Sequence, residues 1–224
     1  MKKFFALMAI VPFAVISCSD VNMQGNDDNS AGKIVKQFDP ERLPEGAVDM
    51  GVSVAWATCN LGADDPTQVG NRYKWGELGS CRNDSEELYD FYVGEGEEYS
   101  KYNSTDKKTV LDPEDDAATY ELGTGWRIPT SDEWKELVVN CTSESWEEDN
   151  VHGVKLTSKI NGQMLFFKFS AKNCFWGSTL RRVSIDGYKY ASHCGVFEVA
   201  SILECNPYAM PRYFSLYIRP VYSQ

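Results

Sequence analysis

The chain lacks the usual signatures of catalysis. It has no phosphate-cradling glycine loop and no G-x-S-x-G nucleophile elbow. No two cysteines have the close pair spacing of a zinc site. Beyond Ile16 no stretch is long and apolar enough to cross a bilayer, and no segment repeats another. Positive charge is scarce: 22 Lys and Arg stand against 33 Asp and Glu, for a formal net charge of −11. An acidic chain repels phosphate backbones, which argues against nucleic acid as a partner. It also gives the folded part no electrostatic hold on anionic lipid.

The N-terminus is different. Lys2 and Lys3 form a short basic region, and Phe4 to Ile16 is an apolar run too short to span a membrane comfortably. Val15-Ile16-Ser17-Cys18 has the form of a bacterial lipobox, with Cys18 as the residue to be acylated. Residues 1–17 are therefore expected to be a signal peptide. Their removal takes away two lysines and no acid, moving the charge from −11 to −13. Several acyl chains on one residue anchor stably, where a single chain is marginal. Residues 18–46 are polar and broken by Gly25, Gly32, Pro40 and Pro44, and read as the lipidated cysteine plus a flexible tether with a reach of ~30 Å. A single domain is expected over 47–224, long enough to bury one sizeable core.

The most informative stretch runs from Gly123 to Cys141. It reads as a turn, a short strand and a capped helix. Thr130 and Glu133 make a capping box, and Pro129 with Trp134 sit at the positions of a hydrophobic staple. Trp134, Leu137, Val138 and Cys141 fall on one helical stripe, so Trp126 and Trp134 are expected to anchor the core.

This stretch, GWRIPTSDEWKEL, resembles the signature of the Fibrobacter succinogenes major paralogous domain family of Bacteroidetes lipoproteins. VDMGVSVAWATCNLGADDP (48–66), YKWGEL (73–78), LDPEDDAA (111–118) and the closing SLYIRPVYS fit the same resemblance. It implies an α+β fold of the C-type-lectin-like, formylglycine-generating-enzyme-like kind. Such a fold has few helices, an antiparallel, loop-rich sheet, and a closing strand that pairs near the first one. It also implies an outer-membrane lipoprotein exposed at the cell surface, a setting that the acids behind Cys18 (Asp20, Asp27, Asp28) suit. Such signatures specify fold better than function.

Between Glu77 and Asp116 stand thirteen acids against four Lys or Arg, with Tyr89, Phe91, Tyr92, Tyr99 and Tyr102 interspersed. The favoured reading is a solvated insertion whose aromatic rings fold back on the core; the rival is a sugar- or peptide-contacting loop. Asp112 is placed to cap a helix with Pro113 at its first position and Gly123 at its end. Asp112, Glu114, Asp115 and Asp116 also raise calcium, but their spacing is not that of an EF-hand loop. An acid from this group pairing with Arg127 is the favoured outcome, and no cofactor is expected. From Val151 onward strands alternate with turns. VKLTS, Asn161-Gly162 and MLFFKFSA form the strongest hairpin signal.

After Cys18, six cysteines remain: Cys59, Cys81, Cys141, Cys174, Cys194 and Cys205. In an exported chain an even number permits three disulfides. Cys59 and Cys141 lie within the best-matched family blocks, and the resemblance makes them the first disulfide candidate. Late cysteines hold copper in formylglycine-generating enzymes, but the context of Cys194 and Cys205 does not match. Iron-dependent relatives on that fold need a histidine cluster, and only His152 and His193 exist. The calcium-binding motifs of sugar-binding C-type lectins are absent. The expectation is therefore a tethered, non-catalytic module that binds a glycan or protein ligand through its long loops. The alternatives are an accessory subunit of a surface assembly and, third, an oxidase-like enzyme. The ligand site is expected in the weakly matched region 175–211. There Trp176, Tyr188, Tyr190 and Tyr208 offer aromatic faces beside Arg181 and Arg182, suited to a sugar acid or acidic peptide.

Overall fold

A computed structural model describes residues 38–170, 172–183, 187–197, 202–204 and 209–223, and over 182–209 the backbone alone. These residues belong to one unit, Val35–Gln224. Helices are few and the sheets are mainly antiparallel, an α+β arrangement.

The unit begins earlier than position 47. Phe38 is buried, and its N–H donates to the Asp49 carboxylate at 3.3 Å. Pro40–Arg42 form a single 3-10 turn whose N-cap, Asp39, accepts from the Glu41 N–H. The expected tether is thus shortened at its C-terminal end: an apolar ring that needs burial and a proline that pre-sets a turn draw residues 38–46 into the fold.

Three sheets follow among the described residues. In the first, β1 (Ala47–Asp49) pairs with β2 (Ala55–Ala57), β2 with the closing strand β13 (Val221–Tyr222), and β13 with β4 (Trp126–Arg127). Val221 lies opposite both Trp56 and Arg127, so the chain's end is clamped between its start and its middle. The second sheet runs β10 (Ile202–Glu204), β9 (Gly187–Phe197), β8 (Cys174–Val183), β12 (Leu216–Tyr217), β3 (Arg72–Tyr73), with β11 (Ala209–Pro211) added to β9. The third is the meander of β5 (Cys141–Glu148), β6 (Val151–Ser158) and β7 (Met164–Lys168). The β6–β7 hairpin was predicted. Strand β5 was not, because its serines and glutamates carry little β signal; it is held by eight register pairs with β6.

The capping box forms in helix α2 (Ser131–Asn140). Thr130 Oγ1 accepts from the Glu133 N–H at 3.2 Å, and the Glu133 carboxylate accepts from the Thr130 N–H at 2.7 Å. Trp134 and Leu137 are buried beneath it, while Val139 faces solvent. The helix stops one residue short of its predicted stripe: Cys141 has extended backbone and opens β5 directly. The predicted helix at 112 is also divided. Pro113–Asp115 make only a 3-10 turn, and α1 (Ala117–Leu122) is capped by Asp116, which accepts from the Ala118 and Thr119 N–H groups. Gly123 ends α1 with φ +87°, as its position predicted.

Among the described residues, two apolar clusters form the interior. Trp56, Trp134, Leu137, Val154, Leu165, Phe167 and Phe175 make the first. Tyr73, Trp75, Trp176 and Ile218 make the second, joined by Tyr89, Phe91, Tyr99 and Tyr102. The rings of the acidic insertion therefore fold inward, as expected. Their hydroxyls find partners there: Tyr89 donates to the Trp75 carbonyl at 2.7 Å and Tyr102 to Asp115 at 2.7 Å. Burying an aromatic ring stabilises; burying its hydroxyl without a partner would not.

Candidate functional site

The meander β5–β6–β7 has two unlike faces. Val154, Leu156, Leu165 and Phe167 point into the first cluster and are buried. The opposite face carries Trp146, Lys155 and Phe166, each partly exposed. Register places Glu144, Lys155 and Phe166 in one cross-strand row and sets Trp146 opposite Gly153 in the next. Gly153 is the reason the rings meet. A Cβ there would lie 2.4 Å from the Phe166 ring and 2.4 Å from the Phe167 carbonyl oxygen. Without one, Phe166 lies over the glycine and meets Trp146 edge-on, ring centroids 5.0 Å apart at 70°. Glycine in a strand interior marks this kind of close approach. Lys155 is held beside the rings by an ion pair with Glu144.

The facing wall is the loop from Thr58 to Thr67. Asp65 shapes its end by accepting from Thr67 Oγ1 at 2.6 Å and from the Thr67 N–H at 2.7 Å. These two bonds hold its carboxyl below the usual aspartate range. Between wall and sheet lies a cavity of about 440 Å³ lined by Pro66, Thr67, Trp146, Lys155, Met164 and Phe166 among others. On the other side of the loop a second cavity of about 580 Å³ is lined by Gly46, Cys59, Asn60, Ala63, Leu122 and Trp126 among others. Thr58 and Pro66 belong to both. Volumes of this size suit small ligands or parts of larger ones.

Both walls are braced by Arg219, which is buried. Its Nη1 donates to the carbonyls of Ala57 and Thr58, its Nη2 to Phe166 and its Nε to Asn60 Oδ1, all within 3.0 Å. The guanidinium lies 4.2 Å from the centroid of the Phe167 ring. Burial pulls its pKa down to about 9, yet four acceptors on it favour the charged form.

No imidazole lines either cavity among the described residues. The Cys59 sulfur lies 3.7 Å from Thr58 Oγ1. The two linings offer flat apolar faces, hydroxyls, the Lys155 ammonium and the carboxylates of Glu45, Asp64 and Asp65.

The sequence placed the site elsewhere. Trp176 is corrected outright: it is fully buried in the second cluster, its Nε1 donating to the Tyr73 carbonyl at 2.7 Å. A ring stitched into the core presents no face to a ligand. Arg181 is half-buried on β8, opposite Tyr190 of β9. The side chains of Arg182, Tyr188 and Tyr190, and all of Tyr208 and Cys18, lie outside the described residues. The Cys59–Cys141 disulfide is also corrected, since both are free thiols. Cys141 turns into the first apolar cluster, where burial raises its thiol to about 11, while Cys59 lines the second cavity. Arg127 pairs with Glu133 of α2 rather than with an acid of 112–116. Asp116 spends its carboxylate on the Ala118, Thr119 and Ile128 N–H groups instead. Asp112, Glu114 and Asp115 do bring ligand oxygens within 4.8 Å of one another. They are already served by Lys108 on Asp112, by Lys101 on Glu114 and Asp115, and by the Tyr102 hydroxyl on Asp115. Trp126 and Trp134 are buried, as expected.

Comparison with protein-family models, curated proteins and solved structures finds no match for the chain.

Two signals in the sequence bear on the groove. One is Gly153 in the middle of an otherwise strand-like run. The other is Trp146, a large apolar residue among the acids Glu144, Glu147 and Glu148.

Proposed function

We propose that the protein is a surface-tethered, non-catalytic binding module that takes a glycan or protein ligand in the groove between the β5–β7 sheet and the 58–67 loop. The observation that carries this is the Trp146–Phe166 ring pair, laid open on one wall of a cavity of about 440 Å³ whose two walls a buried arginine ties together. Pre-organised aromatic faces bind with little ordering cost, and no imidazole stands among the described lining residues to activate Cys59. Anchoring is assigned to acylated Cys18, at the outer face of an outer membrane. The scaffold is assigned to the C-type-lectin-like kind. Supporting it are the closing strand β13 beside β2, the capped helix of the signature and the predominance of antiparallel pairing.

The full-length chain, displayed on cells, is the material for the test. Glycan and peptide arrays are probed with wild type and with Trp146→Ala. A ligand retained by wild type and lost by the variant supports the groove. Equal binding by both removes it as the site. Cys18→Ala should leave the membrane fraction or accumulate as an unprocessed precursor; normal processing and unchanged retention would defeat the anchoring assignment.

A further inference from the structure

The two cavities on either side of the 58–67 loop share Thr58 and Pro66. Trp146 and Phe166 line one of them, Leu122 and Trp126 the other. Resting on the groove reading above, we infer that the two cavities are compartments of one groove and that the ligand is a neutral, linear saccharide, long enough to cross Pro66 and fill both.

Charge decides against an anion. The lining carries Glu45, Asp64 and Asp65 against Lys155, which is already paired with Glu144. A sugar acid, a polyphosphate or an acidic peptide would meet uncompensated carboxylates. The backbone decides against a peptide added as a strand. Strand β7 faces the groove at its edge, but the outward Phe166 carbonyl is taken by Arg219 at 2.9 Å. An extended peptide gains its affinity from such edge groups. Recognition through side chains remains, and here those are aromatic faces with Thr58, Thr67 and Asp65 around them. A pyranose with equatorial hydroxyls matches this division: its axial C–H groups form flat apolar faces that stack on rings, while its rim hydroxyls donate to carboxylates and accept from hydroxyls. Asp65, kept ionised, is an acceptor for them.

The probes are neutral β-linked gluco-oligosaccharides from the monosaccharide to the hexasaccharide, titrated calorimetrically into the full-length protein in detergent. Affinity is expected to climb with length and then level off once both compartments are filled. Trp146→Ala should weaken every length by about tenfold, the loss of one stacking face. Ala63→Trp fills the second compartment and should cancel the gain from length. Affinity that is flat with length, or a gain that survives Ala63→Trp, overturns the two-compartment inference and leaves the groove reading standing. Failure of the whole series, with a peptide from the array still lost in Trp146→Ala, overturns the saccharide and keeps the groove. Oligosaccharide binding unaffected by Trp146→Ala overturns both.

Discussion

Arg219 and Phe166 are joined by a hydrogen bond of 2.9 Å from guanidinium to backbone carbonyl, and the same guanidinium reaches Thr58 at 2.7 Å. One side chain near the end of the chain therefore sets the spacing of two walls contributed by residues more than a hundred positions apart. No carboxylate neutralises it among the bonds the structure shows; carbonyl and amide oxygens do the work. Arg219→Lys keeps the charge but cannot span these acceptors, leaving several buried oxygens without donors. The expected cost is about 3 kcal/mol. For a domain of this size that lowers Tm by roughly 6–12 °C, measured by calorimetric melting. An unchanged Tm would show that the brace is not needed.

Trp146 and Trp134 should separate stability from binding. Trp134 is fully buried, packs 4.6 Å from Trp56 and donates to the Trp176 carbonyl. Trp134→Ala should cost about 3–5 kcal/mol. Trp146 is partly exposed and packs on Phe166, so Trp146→Ala should cost about 1 kcal/mol while weakening ligand binding about tenfold. Urea denaturation of both variants checks this. Comparable losses would mean Trp146 is a core residue.

Much of the scaffold was legible in the sequence because local rules and tertiary structure agree there. Thr130 and Glu133 cap a helix, Gly123 ends one, and the closing strand β13 returns beside β2, one strand from the first. The site was less legible. Region 175–211 is weakly matched and sets four aromatics beside arginines, which reads as a ligand platform, yet the burial of Trp176 depends on which face of β8 meets the core, and that follows from pairing with β12 and β9. Trp146 gives little signal because strand β5 has no apolar alternation; its partner Phe166 is brought to it by register, a non-local fact. Cys59 and Cys141 share the signature blocks but sit in different surroundings: Cys59 follows β2 by two residues and lines a cavity, while Cys141 opens β5 and is buried in the first apolar cluster.

Gly153 tests the register argument directly. Gly153→Ala should push Phe166 off the strand and press on the Phe167 carbonyl, an overpacking cost of about 1–3 kcal/mol. The companion Phe166→Ala removes the ring that blocks the methyl. Adding Gly153→Ala to Phe166→Ala should therefore cost less than adding it to wild type, a coupling read from a double-mutant cycle of urea midpoints. Simple additivity would mean the backbone contact alone sets the penalty.

Acid should loosen the helix signature first. Burial pushes the Glu133 carboxyl up, but the ion pair with Arg127 and the Thr130 bonds outweigh it and hold it below the usual glutamate range. A carboxyl depressed in the folded state stabilises fully above its unfolded value, about 4.3, and loses that contribution as pH falls through the folded value. Asp116 acts in the opposite sense: burial raises it despite its three backbone donors, so its protonation favours the fold as pH falls. Glu133→Gln retains the cap geometry and removes only the charge. At pH 7 it should be less stable than wild type by about 1–2 kcal/mol, the loss of a charge-assisted pair. The gap should narrow as pH falls below the unfolded value and close once pH passes the depressed folded value, where wild type has taken up the proton as well. Urea midpoints for the two proteins at pH 7, 5, 4 and 3 measure it. A gap that stays constant to pH 3 would place the acid sensitivity in another carboxylate.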